Sequence, residues 1–416
     1  MIKIIKFFVF FIIIIFSMLW GYENNDKIDS LKAKLKYFVQ KSHIEKNNSK
    51  DAFQVEANAY NVIVSNEMRL VDNKYKTSFL LYDSKEINFD IDKVKIYLQN
   101  GFLVQKNNEK KLVLNKNFTL ELNGGIKTVV FNNSKSYGLV TSLNNDCYYI
   151  SFVDLSNGNE LFNTKCLPNL DYGSIDFNGV GSSVIYDNDF ILISIGTPTT
   201  DSYQIDELAQ DKSSYFGKIL KINKTDFKKE QIDPEIFSIG HRNPQGMTKI
   251  KNKYFSLEHG PKGGDEINEI KINSNYGWPI VSYGTKYLYN QGGQSYNLNH
   301  ENKGFSPPIY AFIPSLGVSS LNICPSILVK YYKKNCLIGL SLHGNKLQSG
   351  NSLIIILFNN SFTKVSSIEK IFLKDNFPIR HFLTNQNNEI YENIDGSIYV
   401  SIDSKGIYKI KFKDFR

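Results

Sequence analysis

The residue types best suited to chemistry are crowded into one stretch of the chain. Gly240-His241-Arg242-Asn243-Pro244-Gln245-Gly246 is followed by Leu257-Glu258-His259-Gly260-Pro261-Lys262-Gly263-Gly264-Asp265-Glu266-Ile267-Asn268, and then by Asn275-Tyr276-Gly277-Trp278-Pro279. Only four of the 49 basic residues are Arg (Arg69, Arg242, Arg380 and Arg416), the other 45 being Lys. An arginine at 242 therefore marks a place that wants a flat, multidentate donor, of the kind that grips a carboxylate, rather than a point charge. Trp278 is the only tryptophan beyond the first twenty residues. Asp265 and Glu266 put two adjacent acids in the same loop, a pattern that by itself is more often merely solvated. The same Gly, Pro and Asn content also suits tight turns for backbone reasons alone.

Strands must carry these loops. Short apolar runs at 127–131, 148–153, 184–187, 191–195, 218–222, 254–257, 337–340, 352–358, 398–401 and 407–412 alternate with loops rich in Asn, Asp, Gly and Ser. A helical period is visible only over 26–41. Many evenly short strands point to a sandwich, barrel or propeller, and no crisp repeat lets the spacing count its units.

The three motifs, in this order and spacing, resemble the glucose/sorbosone dehydrogenases, quinoprotein sugar dehydrogenases whose pattern reads G-H-R-N-P-Q-G, E-H-G-P-x-G-G-D-E-x-N and N-Y-G-W-P. Similarity extends upstream through Ala209-Gln210-Asp211 and Tyr215-Phe216-Gly217, and downstream to Asp395-Gly396-Ser397. The resemblance implies an all-β, six-bladed β-propeller over 96–412, with 22–95 a leader and otherwise unplaced. It also implies pyrroloquinoline quinone (PQQ) in a central funnel, with calcium polarising the quinone during oxidation of an aldose at C1. Arg242, Asn243, His259, Tyr310, Ser315 and Arg380 match cofactor-binding positions. Gly260 and Pro261 match the pair whose backbone carbonyls ligate the catalytic calcium, and Glu266 matches a structural calcium ligand of some members. A small-molecule sugar and an electron acceptor are the implied partners.

The departures are as specific as the matches. The family's catalytic histidine stands in an H-x-G-G segment that falls here on Gly179-Val180-Gly181-Ser182, so the base position is Gly179, which cannot take a proton. Asp171 and Asp176 lie nearby, but a solvated carboxylate titrates near 4 and is a weak base at neutral pH. His343 occupies a position where members often carry a cofactor-binding lysine and is the candidate substitute base. Ile313 replaces a tryptophan, and Pro378 replaces the first arginine of an R-I-R triplet. These losses keep a second reading open: a non-catalytic propeller that binds a glycan, small ligand or protein.

Lys3 and Lys6 precede an apolar run from Phe7 to Trp20, long enough for a signal h-region and short for a bilayer span. Residues 1–21 therefore read as a signal peptide or an uncleaved N-terminal anchor, placing the body outside the cytoplasm, in the periplasm or secreted. The net charge of +8 is dispersed, with no clustered basic face to suggest nucleic acid as a partner. Four cysteines (Cys147, Cys166, Cys324 and Cys336) permit two disulfides in an exported protein, and proximity in sequence favours Cys147–Cys166 and Cys324–Cys336.

Overall fold

The computed structural model describes residues 53–57, 62–69, 76–106, 108–168, 175–199, 203–286, 296–342, 351–373, 378–403 and 405–413. The segment 1–21, the helical period expected over 26–41, Asp171 and His343 lie outside them. Every expected strand is present within a residue or two of its expected bounds, from Ile126–Asn132 to Gly406–Phe412. α-Helix among the described residues is limited to Tyr203–Asp206 and Ser326–Tyr332.

The strands form six sheets, antiparallel except for one added strand and each made mainly of strands consecutive in sequence. Their innermost strands are Thr77–Tyr82, Ile126–Asn132, Val184–Tyr186, Pro244–Ile250, Val318–Ile323 and Ile379–Phe382. We number the blades 1 to 6 in that order. The ring closes where blade 6 meets blade 1: Tyr82 N donates to Thr384 O at 2.8 Å and Thr384 N donates to Leu80 O at 3.1 Å. Strand pairing reaches further toward the N-terminus than residue 96, where the resemblance fades. Blade 1 begins at Thr77, Val62–Arg69 pairs antiparallel with Gly406–Phe412 as the outer strand of blade 6, and Phe53–Ala57 pairs parallel with Val365–Phe372 of blade 5. These strands carry no motif, and hydrophobic alternation alone does not say which sheet a strand will join.

The blade number is fixed by packing. Six apolar clusters fill the six spaces between neighbouring blades. Phe79, Tyr97 and Val129 join blades 1 and 2; Phe152, Ile193 and Leu220 join 2 and 3; Leu192, Ile219 and Met247 join 3 and 4. Phe255, Leu257 and Ile354 join 4 and 5; Leu353, Ile398 and Ile410 join 5 and 6; Leu383, Tyr399 and Leu80 join 6 and 1. Each fully buried side chain of this size contributes about 1.5–3 kcal/mol. A strand with blades on both sides is covered on both faces, which is why Ser352–Phe358 (SLIIILF) is apolar almost throughout and wholly buried. The outer strand Asn108–Lys111 (NEKK) is fully exposed, and its charges discourage edge-to-edge pairing with other chains. Disulfides Cys147–Cys166 and Cys324–Cys336 staple blades 2 and 5.

Candidate active site around Arg242

With apolar side chains filling the spaces between blades, polar groups gather where the chain enters each inner strand. Arg242 and Asn243 immediately precede the inner strand of blade 4, and the backbone holds them there. Thr197 N donates to Arg242 O at 2.8 Å, and His259 N donates to Asn243 O at 3.0 Å. The Arg242 guanidinium donates through Nη1 to Gly260 O at 2.7 Å and His259 O at 3.1 Å. Its Cζ stands 5.3 Å from the Trp278 ring centroid, a cation–π distance. The three motifs thus meet in one contact. Trp278 is fixed in turn by Gln210, whose Nε2 donates to Trp278 O at 2.6 Å and to Asn275 Oδ1 at 3.1 Å. That bond explains why the upstream similarity includes Gln210. Gly240, at φ +77°, has no room for a Cβ, which would lie 2.2 Å from Asn275 Oδ1.

Arg242, His259, Gly260, Pro261, Glu258, Glu266, Tyr276 and Trp278 line one small cavity. Its acidic floor comes from register, since Glu258 and Glu266 face each other across adjacent strands of blade 4. Glu258 is burdened by burial, yet it is held below the ordinary carboxylate range by His241, Ser256 and Asn268. His241 Nδ1 lies 2.9 Å from Glu258 Oε1 and its Nε2 lies 2.8 Å from Ser238 Oγ, so this fully buried imidazole braces Glu258. Glu266 has weaker support, a long bond from Asn268 Nδ2 at 3.4 Å: burial, then the charge of Glu258, pushes its carboxyl up to about 8. Burial likewise raises Asp206 to about 7, against the pull of Arg242. A desolvated carboxyl beside a second carboxylate favours an incoming cation.

Asp265 does something the sequence did not disclose. Its Oδ1 accepts from Gly260 N at 3.0 Å, and its Oδ2 accepts from Leu316 N and Gly317 N at 2.8 Å and Val318 N at 3.4 Å. The carboxylate is 1% exposed and ties the loop of Gly260 to the loop entering blade 5. Its negative charge is spent on backbone amides rather than offered to a metal.

The other expected residues scatter. Tyr310 does not line this cavity. It sits in the outermost strand of blade 4, 3% exposed, against Phe312 in the cluster between blades 4 and 5. Ser315 lies in the loop before blade 5 with its Oγ enclosed and without a hydrogen-bond partner. Arg380 is in the inner strand of blade 6, its Nε donating to both Asp403 oxygens at 2.7 Å. Gly179 ends a single turn, Phe177–Gly179, where a Cβ would lie 2.4 Å from Thr197 O and 2.6 Å from Thr199 N. No side chain fits there, whatever its chemistry.

Among the described residues no group of three or more His, Cys, Asp and Glu could hold a metal ion, so a calcium site here would need backbone carbonyls. Gly260, Pro261 and Glu266 line the same cavity, and the Gly260 carbonyl there already accepts from Arg242. No described helix is long and apolar enough to cross a membrane.

Comparison with known proteins agrees with these motifs. The family model described as Glucose / Sorbosone dehydrogenase matches residues 156–408. The aldose sugar dehydrogenase YliI of Escherichia coli is 34% identical over 136 residues, 29% of this chain and 33% of that protein. Quinoprotein glucose dehydrogenase B of Acinetobacter calcoaceticus is 39% identical over 80 residues, 18% of this chain and 17% of that one. The matched regions thus span a third or less of these curated relatives. In overall shape the chain is similar to the soluble aldose sugar dehydrogenase from Escherichia coli, with a TM-score of 0.62 at 20% identity over 85% of this chain and 100% of that one. It is also similar to the PQQ-bound aldose sugar dehydrogenase from Streptomyces coelicolor, with a TM-score of 0.55 at 17% identity over 84% of this chain and 98% of that one. Both structures support the six-bladed fold; the motifs and the family match identify this chain as a member of the glucose/sorbosone dehydrogenase family.

Proposed function

We propose that this protein oxidises an aldose sugar outside the cytoplasm, using PQQ and calcium, and passes the electrons to an external acceptor. Bound PQQ would supply the hydride acceptor, and calcium would polarise it. The observation that carries this reading is Arg242, locked at once onto the Gly260 carbonyl and the Trp278 ring beside a buried acidic cavity. Arg242 and Asn243 would orient the cofactor, while Gly260, Pro261 and Glu266 would hold the cation. His259 would contribute through its carbonyl, which already anchors Arg242. Trp278 and Tyr276, 5% and 4% exposed, would keep water out. In this reading residues 1–21 direct export or anchor the chain, and 22–95 lead into the propeller and supply its first strands.

The closed backbone at Gly179 leaves the proton acceptor unassigned, with His343 the candidate in sequence. That favours, as a second reading, a propeller that binds a glycan, small ligand or protein without turnover. The test is a titration of the purified protein with PQQ and calcium, read by absorbance, followed by aldoses with a dye acceptor. Calcium-dependent binding with sugar-dependent dye reduction is expected. Binding without dye reduction supports the second reading, and no binding refutes the cofactor assignment.

A further inference from the structure

One fully buried lysine takes no part in the chemistry above. Lys218 begins Lys218–Asn223, the third strand of blade 3. An ammonium is tolerated away from water only where its protons meet acceptors. It has three donors, and three carbonyls take them: Nζ donates to Leu208 O at 2.7 Å, Phe216 O at 2.8 Å and Ala209 O at 2.9 Å. Burial pulls its pKa down to about 7, against the charge of Asp211, so a lysine is held here at a cost.

The carbonyls it holds give this lysine a reach beyond blade 3. Leu208 and Ala209 close the turn Glu207–Ala209, directly before Gln210. Ala209 O also accepts from Gly240 N at 3.1 Å, and Gly217 O accepts from His241 N at 3.1 Å, so the turn and the start of the strand both hold the first motif. The two segments approach so closely that a Cβ at Gly217 would lie 2.4 Å from Ala209 Cβ. Ala209 packs in one apolar cluster with Trp278 and Tyr296. Gln210 Oε1 accepts from Asn275 Nδ2 at 2.7 Å, and its Nε2 donates to Trp278 O at 2.6 Å. Ala209 therefore stands directly between the ammonium and the ring on which Arg242 rests at 5.3 Å.

We propose that Lys218 is a positioning residue: its ammonium fixes the loop of Leu208 to Gln210, and through that loop sets the place of Trp278 and of the Arg242 guanidinium against it. Its effect on cofactor affinity rests on the reading above, in which Arg242 orients PQQ; its effect on Trp278 does not.

Trp278 can report its own position, because Trp20→Phe leaves it the only tryptophan of the full chain. In that background, tryptophan emission and its quenching by acrylamide compare the parent with Lys218→Met and with Leu353→Ala, which opens the core between blades 5 and 6 without touching this path. Lys218→Met should shift the emission to the red and quench faster, and Leu353→Ala should do neither. Calorimetric titration with PQQ in the presence of calcium should show binding about 10-fold weaker in Lys218→Met, the size of one buried cation–π contact. Gln210→Ala, which cuts the same path, should add less than its own full effect to that of Lys218→Met. An unmoved Trp278, or one moved as far by Leu353→Ala, refutes the positioning role. A moved Trp278 with PQQ affinity unchanged refutes its link to the cofactor. A parent protein that binds no PQQ refutes the cofactor reading, and the fluorescence then decides the positioning role by itself. Should Lys218→Met fail to fold, Lys218→Gln, whose amide keeps two donors, is read by the same criteria.

Discussion

Replacing Asp265 separates architecture from chemistry in this site. Its carboxylate receives four backbone N–H groups from two loops, one of them long at 3.4 Å. Asp265→Ala leaves at least three buried donors without an acceptor. At roughly 1–2 kcal/mol for each, with some relaxation, the loss is about 3–6 kcal/mol. That is a large part of the ~5–15 kcal/mol by which folded domains are stable. Unfolding entropy for a chain of 416 residues is on the order of 0.8 kcal/mol/K, so the melting temperature should fall by about 4–7 °C. Asp265→Asn keeps one acceptor oxygen and turns the other into a donor. It should keep the Leu316–Gly317 contacts, release Gly260 N, and cost about 1–2 kcal/mol. Differential scanning calorimetry on both variants, with PQQ affinity as a second reading, checks this. Melting of Asp265→Ala within about 1 °C of wild type, or equal damage from both variants, would refute the clamp.

Three further outcomes follow from the structure. Gly179→Ala should destabilise by about 1–3 kcal/mol and Gly179→His by more, restoring no activity, because a Cβ meets the backbone of Thr197 and Thr199; thermal shift and dye reduction check both. Glu266, raised from the ordinary 4.5 to about 8, binds its proton more tightly in the folded state, so its contribution is intact below the ordinary value and is lost as pH climbs through the raised one. Denaturant midpoints of Glu266→Gln between pH 4.5 and 8 should therefore decline less than those of wild type, and calcium affinity of wild type should rise over the same window as the proton leaves. Cys147→Ser or Cys324→Ser, opening loops with sequence separations of 19 and 12, should each cost about 3 kcal/mol, visible as a lower denaturation midpoint in either variant.

Much of the site was readable because its geometry is written in consecutive residues. Arg242, Gly260 and Trp278 belong to motifs whose order already implied a meeting point, and the scarcity of Arg singled out position 242. The clamp made by Asp265 was unreadable for the opposite reason: the Leu316 and Gly317 amides that it holds lie far along the chain. The strand that Tyr310 occupies was not legible either, because a motif match says nothing of which strand of a blade a residue falls in.

What the sequence determined by itself was local. It set the strands, through short apolar runs, and the loop chemistry, through Gly, Pro, Asn and a lone Arg, since each depends on neighbours a few residues apart. The tertiary structure decided the rest. Six apolar clusters close the ring at six blades, and strand 62–69 completes the last one across the whole length of the chain. Strand register puts Glu266 opposite Glu258. Blade count, charge convergence and a carboxyl raised to about 8 all arise between residues distant in sequence, where no local pattern can record them.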